Sequence, residues 1–520
     1  MKTASEQALE DNKQLRKMNA ELQRTVEMLT QDIQTKETKI QWLIEQFRLA
    51  QHQRFGRSSE SHPSQGDLFN EAEILEDEAG NDKDQTTETI TYSRKKPKRK
   101  LLPNDLPRET LIHDIEDADK VCDCCGGDLH CMGEDKSEKL EFIPAQVKVI
   151  EHIRPKYSCR QCEKENIHVP IKVAPVPPSP IPKSIATPSL LAQIITAKYQ
   201  YALPLYRQES LFKQYGIDLN RKTMSSWMLR CAELLKPVYD RLIEIQLQQF
   251  VIHADETPVT VIIEEKKQSY MWVYCTGVDS PPNHTSPPDH DAILRIVIYD
   301  FQHSRASSCP ENYLQGFKGY LQVDGYVGYE KLEAILVGCM AHARRKFMDA
   351  KKAQPKGKTG KADKAIAEIQ KLYRIETEIK HKTAIEKHRI RQEKSRPLLD
   401  KLKTWLEASA LHVPPKTVLG KAIGYTLRQW HKLIRYLDDG RLNIDNNRAE
   451  RAIKPFVIGR KNWMFSYTKS GANASAILYS LIETAKANGI IPFDYLSGLL
   501  NELPNKPENL DALLPWMWDR

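Results

Sequence analysis

The chain has 520 residues, 40% hydrophobic and 28% charged, and its 77 Lys and Arg against 69 Asp and Glu give a net charge of +8. This length predicts several domains, and the composition excludes collagen-like, membrane-spanning and wholly disordered proteins. The apolar runs are shorter than a bilayer span and the N-terminus has no secretory signal, so we expect a soluble, intracellular protein whose cysteines are thiols or metal ligands.

Residues 1–55 predict one long helix with the sevenfold repeat of a coiled coil. Two apolar series recur every seven positions, at offsets that place both on one seam. They are Val26, Ile33, Ile40 and Phe47, and Leu15, Leu22, Leu29 and Leu43. Asn12 and Asn19 continue the first series, where a buried amide fixes register, and Lys36 interrupts the second. A helix docked on its own protein is the alternative, but the length of the seam favours self-association.

Residues 56–100 have the composition of a disordered linker. Residues 60–90 contain ten acidic residues and one basic residue, whereas residues 94–100 contain six basic residues out of seven. The basic run either contacts DNA phosphates or is a solvated part of the linker, and the two interpretations have equal weight.

Residues 101–170 predict a small zinc-binding domain. Six of the ten cysteines fall between residues 122 and 162. Two CxxC pairs, Cys122 with Cys125 and Cys159 with Cys162, supply four thiolates for one tetrahedral ion. Four protein ligands leave no open position, so the zinc is expected to be structural. The other candidate ligands nearby are Cys124, His130, Cys131 and His152.

Residues 171–247 predict a proline-rich connector followed by helices. A helix over 205–215, a turn at Gly216 and a second helix over about 221–235 are typical of a helix-turn-helix. Four residues at the start of the second helix would then meet base edges. They are Arg221, Lys222, Ser225 and Ser226. An ordinary helical hairpin explains the pattern equally well.

From residue 249 the pattern changes from helices to strands. We predict five strands, with a helix near 310–317 between the third and fourth and another starting near His342 after the fifth. The strands are 250–254, 270–276, 294–299, 319–323 and 334–339. This order is expected of an RNase H-like α/β fold, in which carboxylates at the ends of the first and fourth strands lie close together.

Asp255 and Asp324 follow the first and fourth of these strands. With a third carboxylate they can hold two divalent cations about 4 Å apart, and oxygen ligands suit Mg²⁺ or Mn²⁺. Each residue also has a structural explanation, because Asp324 and Gly325 form a hairpin signal and Asp255 can cap a strand end. Their joint positions favour catalysis.

The third carboxylate is expected in the segment from 440 to 463. A helix here would place Glu450 and Lys454 on one face. The competing explanation is a capping box, with Asn447 as the N-cap and Glu450 three residues later. Asp445 is the nearest competitor for the role of metal ligand.

Basic residues flank the predicted carboxylates and are candidates for phosphate contacts. They are His342, Arg344, Arg345, Lys346, Lys454, Arg460 and Lys461. A solvated basic helix face is the alternative for each. Trp463 either stacks on an unpaired base or belongs to the core, and the core is the safer assignment.

Several motifs together resemble the large transposase of the "IS sixty-six" group of bacterial insertion sequences. The most specific is the long segment DNNRAERAIKPFVIGRKNW at 445–463, and the others follow the order of the family along nearly the whole chain. They are QRFGRSSE at 53–60, CDCCGG at 122–127, KYSCRQC at 156–162, HADET at 253–257, VDGYVGY at 323–329 and AHARRKF at 341–347.

The resemblance implies a DDE transposase with Asp255, Asp324 and Glu450 as the catalytic residues and metal ligands. It also implies an α-helical insertion between the second Asp and the Glu, in agreement with the helical, basic character of residues 350–435. Its expected partners are the terminal inverted repeats, target DNA, a second copy bound through the coiled coil, and small accessory proteins of the same element. Its expected location is the bacterial cytoplasm, at the nucleoid.

The chain is therefore predicted to be a multidomain α+β protein. It would combine a coiled coil, a zinc-binding domain, a helical DNA-binding segment and an RNase H-like core with an α-helical insertion. The predicted boundaries are 1–55, 56–100, 101–170, 171–247, 248–349 (first part of the core), 350–439 (insertion), 440–490 (second part of the core) and 491–520. A non-catalytic DNA-binding regulator and a metal-dependent nuclease without strand joining are the alternative functions.

Overall fold

The computed structural model describes residues 4–55, 110, 147–158, 171–263, 268–277, 293–354 and 359–518. The chain divides into two units, one formed by Met1–Asp82 with Pro175–Arg520 and the other by Lys83–Ala174. In the described part of the smaller unit, β1 (Lys156–Tyr157) pairs antiparallel with β2 (Lys172–Val173). The four predicted zinc ligands lie outside the described residues.

The N-terminal helix α1 (Ala4–Phe55) is continuous over 52 residues, which confirms the prediction of one long helix. Its seam residues are open to solvent, with Leu22 60% and Val26 56% exposed. Near its end, Glu45 is buried and accepts a hydrogen bond from the backbone N–H of Val418 at 2.9 Å. The helix thus contacts its own protein through its last turns and exposes the rest of its seam.

Three helices precede the sheet: α2 (Pro188–Tyr199), α3 (Leu205–Gln214) and α4 (Arg221–Gln246). Gly216, in the turn between α3 and α4, has a φ of 75°, which favours glycine. Asn220 caps α4 by accepting a hydrogen bond from the N–H of Lys222 at 2.7 Å. The two predicted helices and their turn are confirmed.

Five strands form a mixed sheet in the order β5-β4-β3-β6-β7. They are β3 (Val251–Thr260), β4 (Gln268–Cys275), β5 (Val297–Gln302), β6 (Tyr320–Gln322) and β7 (Ile335–Val337). The first three run antiparallel, and β6 and β7 run parallel to β3. The short helix α5 (Ser308–Tyr313) lies between β5 and β6 in sequence.

Two details of the sequence prediction are wrong. Strand β3 does not end before Asp255 but continues to Thr260, because residues 255–260 pair with β4. Asp324 does not belong to a hairpin, because the strands on either side of it, β6 and β7, run parallel.

The described residues between β7 and the next segment of the core are mainly helical, as predicted, with short non-helical connections. The helices are α6 (Met340–Lys352), α7 (Lys361–Glu378), α8 (Ala384–Ile390), α9 (Arg396–Ala410), α10 (Val418–Arg428) and α11 (Trp430–Leu433). Arg391, which is 2% exposed, pairs with Glu376 at 2.6 Å and donates to three backbone carbonyls, those of residues 436, 439 and 442. This arginine fixes the chain just before the last part of the core.

The last helices are α12 (Asn447–Trp463), α13 (Lys469–Ala487) and α14 (Pro492–Glu502). Helix α13 covers the edge strand β5, and its Ser480 and Thr484 hydroxyls accept the N–H groups of Tyr299 and Val297 at 2.8 and 3.0 Å. The outer edge of β5 is thereby protected from pairing with another chain. Within the described ranges, none of the helices has the length and apolar character required to cross a bilayer.

Candidate active site

The segment before α12 is bound to three parts of the sheet region. Asn446 donates its side-chain N–H to the carbonyl of Ala254 at 2.8 Å, and its backbone N–H to Cys339 Sγ at 3.2 Å. The side chain of Gln322, at the end of β6, donates to the carbonyl of Asn443. These contacts hold the start of α12 against β3, β6 and α6.

Asp255 lies in the middle of β3, opposite Val273 of β4. Its Oδ1 accepts a hydrogen bond from the N–H of Glu256 at 2.9 Å. Strand β6 pairs with β3 only at residues 251–253, so the β6-facing edge of β3 becomes open just before Asp255.

Asp324 lies two residues beyond β6. Its Oδ1 accepts a hydrogen bond from the N–H of Tyr326 at 2.8 Å, as an Asx turn does. A Cβ at residue 325 would fall 2.7 Å from the Tyr425 ring, so glycine is needed for this close approach. This turn follows β6, which pairs with β3 up to His253, two residues before Asp255.

Glu450 lies in α12 and is 4% exposed. The predicted capping box is wrong, because the N-cap is Asn446, which makes no side-chain capping bond. The carboxylate instead meets two side chains of α6, with Oε2 3.3 Å from Arg345 Nη2 and Oε1 3.4 Å from His342 Nδ1.

Asp255 responds electrostatically to the other two predicted carboxylates. The pKa of Asp255 is raised well above its usual range, first by burial and then by the charges of Glu256, Glu450 and Asp324. The N–H of Glu256 opposes this rise. Four acidic side chains from β3, the turn after β6 and α12 therefore share one region of low dielectric.

Glu256 is a member of this cluster that the sequence analysis missed. Its side chain is 3% exposed, and it accepts hydrogen bonds from Arg305 Nε at 2.7 Å and Tyr329 Oη at 2.9 Å. Burial and the charge of Asp324 raise its pKa, while Arg305 and Tyr329 oppose the rise. The sequence signal for Glu256 was its position next to Asp255. Neighbouring side chains of a strand point to opposite faces, so adjacency alone did not predict that both residues belong to one cluster.

His342 is neutral near neutral pH, because burial and then Arg345 lower its pKa to about 4, against the charge of Asp324. Arg345 Nη1 lies 3.2 Å from His342 Nε2. A guanidinium can only donate, so Nε2 accepts and the proton of the neutral ring is on Nδ1, facing Glu450.

The chemistry of these donors fits divalent metal ions. Hard carboxylate oxygens from Asp255, Asp324 and Glu450 suit Mg²⁺ or Mn²⁺, and a cation would offset the mutual repulsion that raises the pKa of Asp255. A tighter group of possible ligands among the described residues is Cys339, His342 and Glu450, whose ligand atoms lie within 4.8 Å of one another. Glu450 belongs to both sets.

The predicted phosphate contacts on α6 have different environments. Arg344 is 3% exposed and lies on the buried side of the helix, and its contact with a phosphate stays a prediction. Arg345 contacts Glu450 and His342. The ammonium of Lys346 lies 4.6 Å from the centre of the Tyr425 ring.

The predicted phosphate contacts on α12 also differ from one another in exposure and partners. Lys454 is half-buried and Lys461 is exposed. Arg460 is half-buried and donates to the Thr257 hydroxyl at 3.1 Å and to the carbonyl of Pro258. Trp463 packs edge-to-face against the buried Phe456, with ring centres 5.4 Å apart, so it belongs to the core rather than to a base-stacking surface.

Family models match nearly every part of the chain. The model of the transposase IS66 family matches residues 183–474 and that of the zinc-finger binding domain of transposase IS66 matches residues 119–163. The IS66 C-terminal element matches residues 480–516, and the Transposase C of IS166 homeodomain matches residues 42–111.

The curated relatives include three proteins of Sinorhizobium fredii that carry no assigned activity. The uncharacterized protein y4jD is 36% identical over 80% of this chain and 81% of its own length. The uncharacterized protein y4hP is 34% identical over 84% of this chain and 79% of its own length. The uncharacterized protein y4qI is 34% identical over 78% of this chain and 75% of its own length.

Proposed function

The chain belongs to the IS66 family of transposases, and from this premise we propose that it is a DDE transposase that cuts the ends of its element and joins them to target DNA. Water attacks the phosphodiester at an element end and frees a 3′-hydroxyl, and that hydroxyl then attacks target DNA by in-line displacement. The protein needs no covalent intermediate with DNA, and hence no Ser or Tyr nucleophile.

The observation that carries the proposal is the convergence of β3, β6 and the start of α12, where Asn446 donates to the carbonyl of Ala254 beside Asp255 and Gln322 donates to the carbonyl of Asn443. Burial raises the pKa of Asp255, and the charges of Glu450 and Asp324 raise it further. Residues 324 and 450 are 126 positions apart in the sequence, and a helical insertion separates them. A merely structural protein gains nothing from placing three like charges together, because their mutual repulsion costs free energy.

The topology supports an RNase H-like core. Three antiparallel strands are followed by a helix and then by two strands parallel to the first, with β3 at the centre of the order β5-β4-β3-β6-β7. In that arrangement, residues of the central strand and of the turn after β6 are expected to meet at one edge, which is where the proposal puts Asp255 and Asp324.

Asp255, Asp324 and Glu450 would hold two Mg²⁺ or Mn²⁺ ions. When bound, these ions supply Lewis-acid activation of the attacking oxygen and stabilise the leaving 3′-oxygen. Arg345 and His342 orient Glu450 through its two oxygens. Asn446 fixes the start of α12 against β3, so the chain itself sets the separation of the three carboxylates.

Other parts of the chain would bind DNA and pair the protomers. Arg221, Lys222, Ser225 and Ser226 are exposed at the start of α4, as a recognition helix requires. The structural zinc unit, with Cys122, Cys125, Cys159 and Cys162 as ligands, would share recognition of the inverted repeats. Helix α1 would join at least two copies, so that both element ends are processed together in the bacterial cytoplasm, with accessory proteins of the element.

One assay separates this function from its rivals. A labelled element end is incubated with Mg²⁺ and a target plasmid, and cleaved and joined products are resolved. A transposase gives both products, a nuclease gives cleavage alone, and a DNA-binding regulator gives neither. Absence of joined product with a correctly bracketed element end would overturn the proposal.

A further inference from the structure

A cluster of exposed apolar side chains lies where α12 ends. Met464 is 70% exposed, Phe465 44% and Tyr467 64%, and Ile262 at the end of β3 is 41% exposed. Single exposed apolar residues are ordinary, but a contiguous group usually marks a binding surface. We call Ile262, Met464, Phe465 and Tyr467 the apolar platform.

The backbone holds the platform rigidly. Ser466 forms a single parallel bridge with Val261 just beyond β3, in which the N–H groups of Ile262 and Ser466 donate to the carbonyls of Ser466 and Thr260 at 3.1 and 2.9 Å. Met464 has a φ of 65°, a conformation that side chains rarely adopt, and it turns the chain from α12 into this extended segment.

Alternation along the segment separates an inner from an outer face. Ser466 pairs with Val261, which is fully buried. Phe465 and Tyr467 flank Ser466 and therefore point to the opposite, outer face. The two aromatic residues are thus exposed on either side of a backbone bridge, and the carbonyl of Tyr467 accepts a further hydrogen bond from the N–H of Ile263 at 3.3 Å.

The segment that carries the two aromatic rings is cationic, and residues 264–267, which follow the Ile262 side of the platform, have no net charge. Residues 460–469 contain Arg460, Lys461 and Lys469 and no acidic residue, and Lys461 and Lys469 are exposed. An open hollow of about 420 Å³ adjoins the platform. It is lined by Pro258, Thr260, Gln268, Arg460 and Met464.

The platform lies on the same strand edge as the candidate active site. Strand β6 covers this edge at residues 251–253 and the segment 464–467 covers it again from Thr260, with Asp255 between them. Five residues of strand separate Asp255 from Thr260, about 17 Å. Asn446 and Arg460, near the two ends of α12, contact this edge at Ala254 and Pro258, so an unpaired DNA strand would pass outside α12 to reach the platform from the carboxylates.

We propose that Phe465 and Tyr467 form a stacking platform for unpaired nucleobases of DNA, with Lys461 and Lys469 attracting the phosphates. Aromatic faces bind any base, and adjacent cations follow the backbone, which is the combination that single-stranded DNA requires. Positive charge beside exposed rings favours this ligand over a protein partner. The proposal refines the proposed function by assigning a place to unpaired DNA near the cleaved bond, and it rests on that function only in taking DNA as the partner.

The test measures binding without added divalent metal, so that cleavage plays no part. The probe is a duplex with a short single-stranded overhang that carries 2-aminopurine, and the reference is the blunt duplex. Phe465→Ala and Tyr467→Ala should each weaken binding of the overhang probe about tenfold and restore 2-aminopurine fluorescence, with blunt-duplex affinity changed less than about twofold. Tyr467→Phe should behave as the wild type.

The control is Tyr201→Ala, which removes another exposed tyrosine, 69% accessible and outside the platform. The proposal is overturned if Phe465→Ala and Tyr467→Ala leave overhang binding unchanged, or weaken blunt and overhang probes equally. It is also overturned if they change only self-association, which would indicate a protein interface. Loss of cleavage in carboxylate variants would not alter these binding results, so the two proposals fail separately.

Discussion

The guanidinium of Arg345 lies against the carboxylate of Glu450, with Nη2 3.3 Å from Oε2. Arg345 also donates to His342, which faces the other oxygen of Glu450. A basic residue that sequence reasoning assigned to DNA phosphates is therefore engaged with an acidic side chain of the candidate active site. In this geometry Arg345 contacts Glu450, and the proposed function makes it a positioning residue for that carboxylate.

Replacing Arg345 should separate orientation from DNA binding. Arg345→Ala removes a hydrogen bond between charged groups, worth about 1.5–3 kcal/mol, so we expect cleavage to fall about 10- to 100-fold. Affinity for non-specific duplex should stay within about twofold, as measured by fluorescence anisotropy across a salt series. A decrease of about one in the salt slope would instead mean that Arg345 contacts a phosphate.

Lys461 is the exposed basic residue with which Arg345 can be compared. It is exposed at the end of α12, and Lys461→Ala should lower the slope of log affinity against log salt by about one. Cleavage at saturating protein should remain within about twofold of the wild type, because the residue is remote from the carboxylates. An unchanged salt slope would remove Lys461 from the DNA-binding surface.

Asp300 should make the stability of the fold depend on pH. Burial raises its pKa from 3.8 to about 6, with Gln302 opposing the rise. Between these values the folded state holds a proton that the unfolded state has released, so the free energy of unfolding decreases as pH rises from about 4 to about 6.

Asp300→Asn should remove this decrease in the free energy of unfolding, because an amide side chain does not ionise. The variant is expected to be more stable than the wild type by about 1–2 kcal/mol at pH 7 and equally stable near pH 4, as measured by urea unfolding at several pH values. A variant that is less stable at pH 7 would show that the ionised carboxylate stabilises the fold.

The exposed seam of α1 should join two or more chains. Leu22 and Leu29 are 60% and 52% exposed in the single chain, and paired burial in a coiled coil would remove both from water. The double variant Leu22→Glu with Leu29→Glu should shift the mass in sedimentation equilibrium to that of a monomer. Gln31→Glu, on the outer face of the same helix, is the control. Retention of the oligomer by the double variant would assign self-association to another surface.

Long-period patterns were the most predictable part of the fold. The sevenfold repeat predicted α1, and apolar runs with their intervening helix predicted all five strands and their order along the chain. The end of β3 was not predictable, because residues 255–260 are polar enough to resemble a turn and gain their strand structure from pairing with β4. The end of β3 is decided by its pairing register with β4, and the sequence of β3 alone does not contain that information.

At the site, sequence identified residue types better than side-chain environments. Arg344 and Arg345 are adjacent and chemically identical, yet one is buried and the other meets Glu450, because the packing of α6 decides which face is covered. The capping box at Asn447 was wrong because α12 begins one residue earlier than that pattern requires. Glu256 was missed because its partners Arg305 and Tyr329 are distant in sequence.

The most direct test of the account is single-turnover cleavage of a labelled element end by Asp255→Asn and Asp324→Asn. Asp445→Asn is the matched control, because Asp445 is acidic and lies just before α12 but is bound to Tyr373 and Asn447, each at 3.0 Å. If three carboxylates form one metal-dependent centre, both variants lose cleavage while binding the element end as the wild type does, and Asp445→Asn still cleaves. Cleavage at the wild-type rate by Asp255→Asn or Asp324→Asn would contradict the account.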